Sequence, residues 1–120
     1  MIVVSNTTPL IGLASIGRFD LLQRLFGEII IPEAVYDESV TAGRDIGGAK
    51  REVSGAKWIK IIKIRDRIAV EVLLDEIDIG ESEVIVLARE LDADWVLMDE
   101  KKGRRKLNQL GIQKIGTVGI

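Results

Sequence analysis

The sequence contains no cysteine and no histidine. The first absence removes disulfides, thiolate metal sites and a cysteine nucleophile. The second removes the commonest general base, the serine triad in its usual form and the usual zinc ligands. Aromatic residues make up only 4% of the chain, so little ring surface is on hand for stacking single-stranded bases. No apolar run approaches the roughly 20 residues that a membrane-crossing helix needs. The amino-terminal stretch MIVVSNTTPLIGLASIG is apolar, but it lacks a basic leading segment and is interrupted by Asn6, Thr7, Thr8 and Pro9. Those features argue against a signal peptide, and a cytoplasmic location is the resulting expectation. A net charge of −2 also means that the molecule as a whole is no polycation, so phosphate binding has to come from a local patch. Catalysis, if present, must use carboxylates, hydroxyls, lysine and arginine. Among these, clustered carboxylates suit Mg2+ or Mn2+.

What is present is aliphatic and regularly punctuated. At 120 residues the chain suits one domain spanning 1–120, since two would each be too small to bury an adequate core. Ile2–Val4 and Ile29–Ile31 read as buried β-branched strands. Between them, Leu10, Leu13 and Ala14 form a helical face ending near Gly17. A second short helix carries Phe19, Leu22, Leu25 and Phe26 and closes at Gly27. Pro32 opens a helix through about Val40. The stretch 41–55 is rich in glycine and charge and reads as a loop or short exposed helix. Trp58–Ile64 alternates as an edge strand with a polar face. Arg67–Ile77 reads as a helix with Ile68, Val72 and Ile77 inward. Asp78–Glu81 is a start signal for a strong helix over Ser82–Leu91. Trp95–Met98 reads as a strand, Glu100–Leu110 as a basic helix and Ile112–Ile115 as a last strand. Strands alternating with helices predict an α/β fold with a parallel sheet covered on both faces.

In such sheets functional groups gather just past the carboxyl ends of the strands. Asn6 follows the first strand and Asp99 follows the VLM strand. Glu81 lies in the first turn of the helix feeding that strand, and Glu38 lies about one turn into the helix after the second. Carboxylates brought to one edge repel each other, and a divalent cation relieves that repulsion while activating water. Each residue also has a plainer explanation. Asp78 and Glu81 match a capping box, Asp99 an N-cap, Glu38 a solvated face and Asn6 a turn. Their joint placement, rather than any one of them, is the signal. Lys101, Lys102, Arg104, Arg105 and Lys106 begin just beyond Asp99 and would rim the same edge. They could grip phosphate, although cations at a helix start oppose the helix dipole.

With those residues placed, the sequence resembles the PIN-domain family, especially its compact prokaryotic branch near VapC-type toxins. The likeness is carried by VVSNTTPLIGLASIGRFDLLQRLFG, IIIPEAVYDE and GESEVIVLARELDADWVLMDEKKGRRKLNQLGIQKIGTVGI. It implies a three-layer fold, an acidic Mg2+/Mn2+ pocket and hydrolysis of single-stranded RNA, often by the toxin half of a toxin–antitoxin pair. Glu38, Glu81 and Asp99 match the family's catalytic acids. Thr7 matches the hydroxyl beside the first acid, Arg104 the basic residue after the last, and Glu100 stands where a second aspartate often occurs. The implied metal set is thus Asn6, Glu38, Glu81, Asp99 and Glu100, with Thr7, Lys101, Lys102, Arg104 and Arg105 toward substrate.

Two departures follow from the same comparison. Asn6 stands in place of the first acid, and a neutral amide should weaken both metal affinity and water activation. The one or two helices that usually follow GTVGI are also missing, which would expose a flank of the sheet unless a partner covers it. The alternatives are a catalytically inactive PIN-like module that binds RNA or a protein, and a receiver-like switch. The latter wants two adjacent acids after the first strand, where this chain has Ser-Asn-Thr. An antitoxin and a homodimer are expectations from family analogy alone.

Overall fold

The computed structural model describes residues 1–41, 48–99 and 101–115. Within these residues five short strands form one sheet: β1 (Val3–Ser5), β2 (Ile29–Ile31), β3 (Ile59–Ile61), β4 (Trp95–Leu97) and β5 (Lys114–Ile115). Their order is β3-β2-β1-β4-β5, and every neighbouring pair is parallel. All the residues of β1 and β2 are buried. Because successive side chains point to opposite faces, burial of every residue means that both faces are covered. The architecture is therefore the three-layer α/β sandwich that the alternating pattern predicts. β3 lies at one edge with Lys60 exposed, as its alternating lysines foretold; it is shorter than the expected Trp58–Ile64, and at the open edge Ile61 is exposed as well.

Among the described residues seven α-helices supply the outer layers: α1 (Thr7–Ser15), α2 (Asp20–Phe26), α3 (Glu33–Tyr36), α4 (Ala49–Gly55), α5 (Arg67–Leu73), α6 (Ile79–Glu90) and α7 (Lys101–Gln109). α3 runs on into a π-helical turn, Asp37–Thr41. α2 stops at Gly27, whose φ of +77° a residue with a Cβ rarely adopts. α6 is the central helix. Gly80 through Ala88 are all buried, because β1, α3, α5 and α7 pack around it. Among the described residues, no helix is long and apolar enough to cross a membrane.

One sequence expectation changes and an open one is resolved. In α5 the inward residue is Val70, fully buried, whereas Ile68 and Val72 are 74% and 66% exposed. They sit two positions to either side of Val70, about 200° around a helix, so burying Val70 turns both outward. The helix also stops at Leu73, and Ile77 reaches the core from the turn that follows. Part of the glycine-rich stretch becomes α4, which packs on α1 through buried Ala49 and Val53. Residues 42–47 of that stretch lie outside the described ones.

Candidate active site

Parallel pairing brings the carboxyl ends of β1 and β4 side by side, in the register Ser5 to Leu97. The Asn6 N–H donates to the Leu97 carbonyl at 3.0 Å, extending that pairing past the last strand residue. Asn6 occupies the N-cap of α1 with extended backbone, φ −83° and ψ 174°, yet its side chain makes no capping hydrogen bond. Capping is the usual employment of an asparagine in this place. Its amide, in a residue only 4% exposed, is left for the sheet edge. Thr7 is buried beside it. The Thr7 hydroxyl makes no geometrically sound hydrogen bond, but it stands close enough to the Glu38 carboxylate to favour the ionised form.

Glu38 comes from the π-helical turn after β2, and its carboxylate lies against the first turn of α6. A Cβ at Gly80 would fall on Glu38 Oε1, so glycine leaves room for the carboxylate there. Burial pushes the Glu38 pKa above its ordinary value of 4.5. The negative charge of Asp78 raises it further, Thr7 works against the rise, and Glu83 adds to it. Among the described residues, then, the surroundings of Glu38 are crowded with negative charge.

Glu81 is buried in the same first turn. The cap anticipated here is real, and Asp78 supplies it: Asp78 Oδ1 accepts the Glu81 N–H at 2.8 Å. On the opposite side α7 passes close by. A Cβ at Gly103 would stand 3.0 Å from Glu81 Oε2 and would collide with Met98 Sδ. Asp99 follows β4 at the same edge and is partly buried. Glu100 lies outside the described residues. Lys101, Lys102, Arg104 and Arg105 lie on α7, where Arg105 is exposed, while Lys106 is tied to Glu76 at 2.7 Å.

The edge thus brings Glu38 against the turn that carries Glu81, Glu81 against the start of α7, and Asn6 against the end of β4. Among the described residues no three acidic side chains are grouped closely enough to hold a metal ion. The donor chemistry nonetheless fits a hard divalent cation. The candidate ligands are all oxygen donors, and the crowding of negative charge about Glu38 is of the kind that a cation relieves.

A family model described as PIN domain matches residues 2–120. The chain belongs to the PIN-domain family. A comparison with curated proteins found no match. PIN domains have a nuclease-type fold and generally use divalent metal ions. In this PIN domain, Asn6 occupies the position where the resemblance places the first acid.

Sequence reasoning passed over Glu83. It is 5% exposed; its Oε1 accepts the Ala34 N–H at 3.0 Å, and its Oε2 pairs with Arg67 Nη1 at 2.7 Å. A signal was available. A glutamate flanked in the helix by Gly80, Val84 and Leu87 faces a packed side, and a buried carboxylate requires a partner. Gly80 and Gly103 were equally silent, because the need for a missing Cβ shows only when two helices meet.

Proposed function

We propose that this PIN domain is a divalent-metal-dependent endoribonuclease of the toxin type, cutting single-stranded RNA in the cytoplasm under the control of an antitoxin protein. The observation that carries the reading is the meeting of Glu38 with the first turn of α6, next to the buried Thr7 hydroxyl. Glu38, Glu81 and Asp99 would hold Mg2+ or Mn2+, with Asn6 as a neutral ligand and Glu100 in support. The ion supplies Lewis acidity, which polarises the phosphodiester and makes water a better nucleophile. The chain's own part is to fix the ligands on rigid elements and to bind phosphate. Lys101, Lys102, Arg104 and Arg105 of α7 steady the developing charge, and Thr7 orients the Glu38 carboxylate. Cleavage of single-stranded RNA with Mn2+ should be lost in Glu81→Gln and Asp99→Asn. Equal activity in all three preparations would trace to a contaminant and end the claim.

One observation favours a second reading, a binding module that has lost catalysis. Asn6 brings no charge where a carboxylate is expected. If the site is intact but weakened, Asn6→Asp should tighten Mn2+ binding by calorimetry. No gain would favour the module.

A further inference from the structure

We infer that Glu83 is a positioning residue, a brace that sets the Glu38-bearing segment against the Glu81-bearing helix. This rests on the nuclease reading above. Glu81 and Glu83 lie two residues apart on α6, about 200° around it, so they look in different directions. Glu81 faces α7, whereas Glu83 faces α3 and α5. Both Glu83 oxygens are committed. Oε1 holds the N–H of Ala34, in the first turn of α3, and Oε2 holds the Arg67 guanidinium at the start of α5.

Ala34 and Glu38 are four residues apart on the continuous helical segment Glu33–Thr41, one turn along the same side. Pinning the first thereby places the second. The same segment is held by packing of α3 on α6, but packing alone permits sliding, while a hydrogen bond to one backbone N–H fixes the register. Arg67 makes the brace tolerable, since a carboxylate this buried would be costly without a cation. Groups that hold metal ligands in place are themselves needed for affinity.

The test compares wild type, Glu83→Gln and the double variant Glu83→Leu/Arg67→Met. The glutamine keeps an oxygen for Ala34. The double variant replaces the buried pair with apolar side chains of similar size, an exchange that often leaves stability intact or raised. Two readouts are taken: amide hydrogen exchange over 34–41 without metal, and Mn2+ affinity by calorimetry. The double variant should fold, lose protection at Ala34 and along 35–41 while α6 stays protected, and bind Mn2+ about tenfold or more weakly. Glu83→Gln should stay near wild type in both. Unchanged exchange over 34–41 in the double variant overturns the brace, as does unchanged affinity where wild type binds Mn2+. If wild type binds no Mn2+, the nuclease reading fails, and the exchange data alone still decide the brace.

Discussion

At the scale of single residues, the site is a problem in crowded negative charge. Glu38 titrates above its ordinary value because it is partly desolvated and faces Asp78 and Glu83. A carboxyl whose folded pKa is raised binds protons more readily in the folded state than in the unfolded one. Its ionisation therefore costs stability as pH rises through that window, and the cost disappears below the unfolded value near 4.5. In metal-free protein, Glu38→Gln should raise the thermal midpoint at neutral pH, and the advantage should fade as the pH is lowered towards 4.5 and be gone below it. A variant destabilised at pH 7 would contradict this account. Gly80→Ala tests the same carboxylate sterically. Alanine is the better helix former by about 0.5–1 kcal/mol, and the displaced atom is the end of a flexible side chain. The domain should stay folded while Mn2+ affinity falls. The sequence suggested Asn6, Thr7 and Asp99 as candidates because each follows a strand, and Glu38 because it lies in the helix after β2. It did not suggest Glu83, since its partners are a backbone amide 49 residues away and an arginine 16 residues away.

At the scale of elements, α6 organises the site, and its start depends on Asp78. Because the Asp78 carboxylate accepts the Glu81 N–H, Asp78→Ala should cost about 1 kcal/mol in urea unfolding, whereas Asp78→Asn should cost only a fraction of that. Equal losses would mean that the charge, rather than the cap, matters. Starts of this kind were readable because their chemistry is local: an aspartate three residues ahead of a glutamate, or a proline after a strand. The inward face of α5 was misjudged for the opposite reason. Its apolar residues, Ile68, Val70, Val72 and Leu73, surround the helix, so periodicity did not single out one side, and packing on α6 selected Val70. The π-helical turn at Asp37–Thr41 also left no mark in the sequence.

At the scale of the molecule, a chain of net charge −2 can hold RNA only through a local basic patch, and the proposed one is α7. Arg105 is exposed on α7, whereas Lys106 is engaged with Glu76. Arg105→Ala should weaken single-stranded RNA binding and reduce the slope of log affinity against log salt by about 0.7, one phosphate contact. An unchanged slope would take Arg105 out of the interface. The parallel three-layer plan was legible from alternating strands and helices alone, because covering both faces of a sheet leaves few other solutions. The closeness of particular side chains at its edge depends on helix packing, which no local pattern encodes.

The central strand has its right-hand neighbour far along the chain: Val3 pairs with Trp95, and the Ile2 amide reaches the Asp94 carboxylate across 92 residues. A ribosome delivers the amino end first, so β1 must wait until Trp95 has emerged before its partner exists. Asn6 meets the end of β4, and Glu81 meets Gly103, only when translation has passed those positions. The acidic edge of the sheet therefore comes together only after both β1 and the distant β4 and α7 have been made, and no early fragment of the chain can hold it.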